Sequence, residues 1–285
     1  MKLNSKKSIF VLALFSMIMI RVHAQHTALS CCSKNSTVAF AMLSNDESFK
    51  ASHLSPLPFH FEAAKGRMVS ILTRDGGKSS AFIVKAENPT NNYVIVIHEW
   101  WGLNDYIKQE AEKLQGELVN VNIIAVDLYD AKIATNPEEA SKFMGEAKEE
   151  RIRAIIGGAI DYAGKDARIQ TIGWCFGGGW SLQTSIMAGK QGTGCVMYYG
   201  MPEKDINKLK SLDAPVLGIF ASKDGWITPE VVTRFEKDMK ENNKQVTTKS
   251  YDADHAFANP SNPKYDKTSA DDAHKMAVEF LKAHL

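Results

Sequence analysis

Cysteine is scarce in this chain, with 4 residues in 285, at positions 31, 32, 175 and 195. That is too few for the disulfide framework of a small stapled scaffold. An excess of one charge is also missing. Lys and Arg number 34 against 33 Asp and Glu, a formal net charge of +1, and no block of like charge occurs. So balanced a chain offers neither the basic stripe of a nucleic-acid binder nor a polybasic membrane patch. Cofactor signatures are absent as well. There is no dinucleotide fingerprint, "CFGGGWS" lacks the lysine of a P-loop, and "HEWWG" is not the zinc-binding HExxH. No metal-ligand cluster is legible, so neither metal nor cofactor is expected. No internal repeat or low-complexity tract occurs.

Long apolar runs are confined to the amino terminus. Lys2, Lys6 and Lys7 precede an apolar run from Ile9 to Ile20 broken only by Ser16, and Val22-His23-Ala24 offers a small residue for cleavage. The run is short for a transmembrane helix. Residues 1–24 therefore predict a cleaved export signal and a secreted or periplasmic protein starting at Gln25; a retained anchor is the other reading. The signal holds four basic residues and no acidic one, so its removal takes the formal charge to −3. The mature chain is expected to act without a membrane, as a monomer.

Residues 25–60 carry Ser, Asn, Thr and two prolines without periodicity and read as a leader, at most partly packed and not a separate domain. From about residue 61 to 285 one α/β domain is expected. "MVSIL" and "SSAFIVK" predict a hairpin around "RDGGK". "YVIVIH", "NIIAVDLY", "IQTIGW", "GCVMYYG" and "PVLGIF" have the length and β-branched content of strands buried on both faces. Helical patterns separate them, at Tyr106–Leu118, over 137–163, at Gly177–Ala188 and at Pro229–Glu241. "QVTTKSYD" predicts a last strand and Ala270–His284 a final helix. Alternation of this kind builds a mostly parallel, twisted sheet with helices on both faces. Its working site lies beyond the carboxyl ends of the strands.

There the chain places unusual chemistry. In "GWCFGGGW", Gly173-x-Cys175-x-Gly177 has the form of a nucleophile elbow with Cys in place of Ser. Glycines allow the sharp strand-to-helix turn and the close approach of its two arms. The helix amino terminus aims N–H groups at the sulfur, an effect that lowers a thiol pKa from its usual ~8.5. The N–H of Phe176 is a candidate oxyanion donor. A buried structural thiol is the other reading of this stretch, and Cys195, within an apolar strand, is read as inert core. Asp224 follows the strand ending in "FASKDGW" and His255 follows the one ending in "YDADHAF". Nucleophile, acid, histidine is the chain order of α/β-hydrolases. In this arrangement His255 shuttles protons and Asp224 orients its ring. Asp252 and Asp254 are alternative acids, though on the same strand end as the histidine. After "VIVIH", Glu99 is a carboxylate beside two tryptophans, costly there unless paired, which suggests a contact with Cys175 or with a substrate. Trp101, Trp226, Phe257 and Asn259, in the same loops, are the candidate substrate-binding side chains.

With "HEWWGLN", "DLYDAKIATNPEEA", "GWCFGGGW", "ASKDGWITPE" and "DADHAFANP" in this order, the chain from about Met68 onward resembles the dienelactone hydrolase (carboxymethylenebutenolidase-like) family of α/β-hydrolases. The resemblance implies a Cys175–His255–Asp224 triad and a resting contact between Glu99 and the cysteine. It also implies oxyanion donors at the N–H groups of Trp100 and Phe176, and attack on a small-molecule ester or lactone through an acyl-thioester. Family members acting on the dienelactone bind its carboxylate with arginines. The run Ala256-Phe257-Ala258-Asn259 has none, so a carboxylated lactone is not the expected substrate. Three other functions share these residues: a thioesterase or acyltransferase, a non-catalytic module holding a ligand between Trp100, Trp101 and Trp226, and a redox sensor at Cys175.

Overall fold

The computed structural model describes residues 35–285. The expected export signal, Cys31 and Cys32 lie outside the described residues. The apolar runs become the strands of one sheet: β1 Arg67–Leu72, β2 Lys78–Val84, β3 Asn92–Ile97, β4 Asn122–Val126, β5 Arg168–Trp174, β6 Gly192–Tyr198, β7 Val216–Ala221 and β8 Val246–Tyr251. Their spatial order is β1-β2-β4-β3-β5-β6-β7-β8. β1 and β2 form the predicted antiparallel hairpin and β2 runs antiparallel to β4. Every pairing from β4 to β8 is parallel. Val94 to Ile97 on β3 and Ile123 to Val126 on β4 have no exposure at all. Burial on both faces is why these runs show no polar alternation. Cys195 is buried in β6.

The helices are α1 Ser36–Ala41, α2 Glu47–Ser52, α3 Asp105–Leu118, α4 Pro137–Glu146, α5 Glu149–Ala163, α6 Phe176–Ala188, α7 Ile206–Lys210, α8 Pro229–Glu241 and α9 Lys267–Ala283. Side-chain caps set several starts: Asn104 accepts from the N–H of Ile107, Asn136 from Glu139 and Asp266 from Ser269. The Asp266 cap starts α9 three residues before the predicted Ala270. The single helical region read over 137–163 is two helices, because Ala147 and Lys148 are extended. Beyond that break α4 meets residues 42–45, where the Ser141 hydroxyl donates to the Ser44 carbonyl. Among the described residues, no helix is long and apolar enough to cross a membrane.

Part of the segment read as a leader is packed onto the body. The Phe40 and Phe49 side chains are buried, edge to face with ring centroids 5.8 Å apart. Phe49 also meets Trp100 at 5.3 Å and Trp226 at 5.1 Å. Asp46 caps α2 by accepting from the N–H groups of Ser48 and Phe49. Two aromatic side chains therefore anchor an otherwise polar stretch over the carboxyl ends of the strands.

At the β5–α6 junction the backbone arms nearly touch. A Cβ on Gly177 would lie 2.3 Å from the Ile97 carbonyl oxygen and 2.4 Å from that of His98. Neither backbone atom can yield. Two residues earlier in the turn, Cys175 takes φ 55° and ψ −119°, a strained conformation for a residue with a side chain.

The contrast with Gly179 tests this reading. A Cβ there would lie 3.2 Å from the nearest atom, the Met201 carbonyl oxygen. Gly177→Ala is expected to cost about 3 kcal/mol or more through overpacking, and Gly179→Ala about 1 kcal/mol or less. Thermal melts of the two variants check this; equal losses would contradict it.

Candidate active site

Four loops at the carboxyl ends of β3, β5, β7 and β8 converge on Cys175. β5 ends at Trp174, and Cys175 caps α6, so the N–H of Phe176 points at the sulfur together with that of Trp100 from the β3 loop. The His255 ring sits between an acid and the thiol. Its Nδ1 is 2.6 Å from Asp224 Oδ2 and its Nε2 3.3 Å from Cys175 Sγ. Asp224 Oδ1 accepts from the N–H groups of Trp226 at 2.8 Å and Ile227 at 2.9 Å. Both carboxylate oxygens are thereby assigned, so Nδ1 carries the proton and Nε2 faces the sulfur as an acceptor. The alternative acids are elsewhere: Asp252 is exposed beside Lys223, and Asp254 is exposed 3.9 Å from Lys264.

Burial sets the charge states. It pushes the Cys175 thiol well above its usual value, and the Glu99 and Asp224 charges push it further. The N–H groups of Phe176 and Trp100 oppose this without prevailing. The lowered thiol pKa expected from the helix terminus is thus overturned: desolvation of a fully buried sulfur beats two N–H dipoles. In the resting site the cysteine is a neutral thiol. For Asp224, burial pulls upward but His255 and the two loop N–H groups outweigh it, leaving its carboxyl below the usual range.

Glu99 is buried, but it does not hydrogen-bond the sulfur. Its oxygens accept from the Tyr199 hydroxyl at 3.3 Å and from Asn259 Nδ2 at 2.6 Å. Asn259 is itself fixed, because its Oδ1 accepts from the N–H and hydroxyl of Ser261. Burial raises the Glu99 carboxyl to about 7, against the pull of His255, Asn259 and Tyr199. Its influence on Cys175 is electrostatic.

Of the predicted substrate-binding residues, Trp101 and Asn259 line a cavity of about 200 Å³ between α3 and α9, with Glu99, Trp174 and Tyr198. Phe257 and Trp226 are not among its lining residues. Phe257 is fully buried against Tyr199 and Tyr251, a packing residue. Trp226 packs on His255 and Phe49. The space imagined for a ligand between Trp100 and Trp226 is filled by the Phe49 ring.

Residues that sequence reasoning missed complete the surround. Tyr199, at the end of "VMYYG", had a strand-end position as its only signal. His98 accepts from the N–H of Leu128 through Nε2 at 3.0 Å, so its Nδ1–H donates to the Glu99 carbonyl and fixes the loop beside Trp100. His53 packs 5.3 Å from the His255 ring and 4.6 Å from Trp100. Nothing in the polar stretch around it marks it.

The dienelactone hydrolase family profile matches residues 80–285. The protein usf of Aquifex pyrophilus is 31% identical over 206 residues, covering 67% of this chain and 88% of that protein. Carboxymethylenebutenolidase 1 of Cupriavidus pinatubonensis is 25% identical over 227 residues, covering 75% of this chain and 95% of that protein. Among solved structures, the fold is similar to that of a dienelactone hydrolase-like promiscuous phosphotriesterase from metagenomic libraries. The TM-score is 0.66 at 20% identity, over 78% of this chain and 99% of that one.

Ionised Glu99 disfavours the Cys175 thiolate, and Glu99 changes charge near pH 7. Glu99→Gln is therefore expected to speed alkylation of Cys175 above pH 7 and to match wild type below about pH 6, where the native carboxyl is already neutral. Iodoacetamide rates across pH check this, and parallel profiles would count against the electrostatic link.

Proposed function

The chain belongs to the dienelactone hydrolase family, and from that premise we propose that it cleaves an ester or lactone with Cys175 as the nucleophile. The observation that carries the reading is one imidazole, His255, held 2.6 Å from a carboxylate and 3.3 Å from a thiol at a strand-to-helix turn. As the sulfur attacks the substrate carbonyl, its proton passes to His255 Nε2. Asp224 keeps Nδ1–H oriented and stabilises the imidazolium. The carbonyl oxygen, now negative, takes hydrogen bonds from the N–H groups of Trp100 and Phe176, which in the resting site point at the adjacent sulfur. His255 returns the proton to the departing alkoxide, leaving an acyl-thioester on Cys175. A water molecule then loses a proton to His255 and attacks the thioester, and the sulfur leaves and is reprotonated.

Glu99 tunes the first step. While charged it holds the sulfur as a thiol; once neutral, or drawn away by a substrate, it no longer opposes the thiolate. The cavity borders the site at Glu99 and Asn259, with Cys175 and His255 behind them and not among its lining residues. Trp101, Trp174 and Tyr198 make much of its wall apolar. No arginine occurs among its described lining residues. Arg151 is committed to Asp75 and Asp130, and Arg153 to Glu149. Without a bidentate clamp for a free carboxylate, an uncharged ester or lactone suits the site better than a carboxylated one.

The test is turnover of a panel of activated esters, thioesters, small neutral lactones and a carboxylated dienelactone. Cys175→Ala is expected to abolish turnover, and Asp224→Asn to lower kcat by about 10³–10⁴-fold. Neutral esters or lactones should outrank the carboxylated lactone. Turnover surviving in Cys175→Ala would remove the thiol from the mechanism. Thioesters outranking every ester would move the reading to a thioesterase.

A further inference from the structure

We propose that Cys175, His255 and His53 together form a site for a thiophilic divalent cation, Zn²⁺, whose binding shuts off the nucleophile. One ligand atom from each residue lies within 4.8 Å of the other two, and all three residues are buried. His53 comes from the end of α2, outside the residues that the family profile matches.

The hydrogen bonds fix which nitrogen of His53 is free. Its Nδ1 lies 2.7 Å from the Phe49 carbonyl oxygen, which can only accept, so Nδ1 carries the proton. The Ser52 hydroxyl donates to the same carbonyl at 2.8 Å. Nε2 is left as a bare lone pair, buried and with no hydrogen-bond partner. His255 is in the same state: Nδ1–H donates to Asp224 and Nε2 presents a lone pair to the sulfur. Two imidazole acceptors thus converge on one thiol, which has one proton to give. A cation bound to the thiolate satisfies both acceptors at once.

The surroundings suit a metal in other ways. Histidines that bind metals donate their second ring N–H to a carboxylate or a backbone carbonyl, which fixes the tautomer and strengthens the ligand. His255 has the carboxylate and His53 the carbonyl. Zn²⁺ favours four ligands at tetrahedral positions, where a sulfur and an imidazole nitrogen stand about 3.6 Å apart. The His255–Cys175 edge is already 3.3 Å, and the two edges to His53 are no longer than 4.8 Å, so closure by no more than about 1–1.5 Å completes the triangle. One thiolate and two imidazoles favour a soft or borderline ion over Mg²⁺ or Ca²⁺. The thiolate and Asp224 together balance the two positive charges. Binding exchanges one Zn²⁺ for the thiol proton, which leaves to solvent, with no change of oxidation state. Both the attacking sulfur and the base nitrogen of His255 are then engaged, and a chelator reverses the block.

The experiment reads metal binding with no substrate present, so its outcome is separate from that of the triad assignment. Full-length protein with Cys31→Ser and Cys32→Ser, which removes the adjacent thiols, is stripped of metal. It is then titrated with Zn²⁺ in competition with a chromogenic chelator. One Zn²⁺ per chain is expected, with affinity falling about 100-fold or more in both Cys175→Ser and His53→Gln. No binding, or binding unchanged in His53→Gln, would overturn the proposal. Should His53→Gln not fold, Co²⁺ added to the same parent protein decides. A cobalt–thiolate charge-transfer band with intense tetrahedral d–d absorption, lost once Cys175 is alkylated, supports the site. A weak octahedral spectrum without that band refutes it.

Discussion

At the β5–α6 turn, strand and helix approach so closely that no side chain fits between them, and the rest of the site follows from that constraint. Gly177 lies against the carbonyls of Ile97 and His98, so β3 and α6 share one wall and their loops cannot drift apart. The same contact brings the N–H groups of Trp100 and Phe176 to one sulfur from two different loops. It also forces Cys175 into a backbone conformation with positive φ. Further strain lies nearby, at Tyr199 and at Ala256 beside His255. Positive-φ backbone at three points around one sulfur is the kind of cost that a fold sustains where it positions chemistry.

Burial is the second organising influence, and it opposes the first. A helix terminus favours a thiolate, but a fully enclosed sulfur with two carboxylates nearby stays protonated. Glu99 feels the same desolvation, which brings its carboxyl to about 7. Near pH 7 the resting site therefore pairs a protonated thiol with a Glu99 carboxyl that is changing charge. A cysteine kept as a thiol is less exposed to oxidation than a standing thiolate. His53 adds to this restraint. Burial and the neighbouring His255 push its imidazole down to about 3, so it stays neutral, with Nδ1–H donating to the Phe49 carbonyl and Nε2 as an acceptor.

Much of this was legible in the residues. Cys175 and Asp224 could be placed because each follows an apolar run read as a buried strand, and His255 because it follows the more polar last strand. Parallel strands deliver such residues to one edge of the sheet. Asp224 could be preferred to Asp252 and Asp254 because it ends the preceding strand, whereas they share a strand end with His255. What depended on tertiary packing was not legible. Phe49 and His53 sit singly in a polar stretch, and only the folded chain brings them against Trp100, Trp226 and His255. The thiol pKa was misjudged for that reason, since desolvation is supplied by residues distant in sequence. Phe257 and Asn259 share a loop without regular periodicity, so sequence had no means of telling the packing residue from the one that holds Glu99.

The central claim is that the sulfur of Cys175 becomes covalently acylated during turnover. The most direct measurement is the mass of peptides from enzyme quenched within the first turnovers of a slowly hydrolysed ester. The account predicts an acyl increment on the peptide carrying Cys175, released by hydroxylamine and persisting longer in Asp224→Asn. Steady turnover with no acyl-enzyme at Cys175, or an acyl group on another residue, would contradict it.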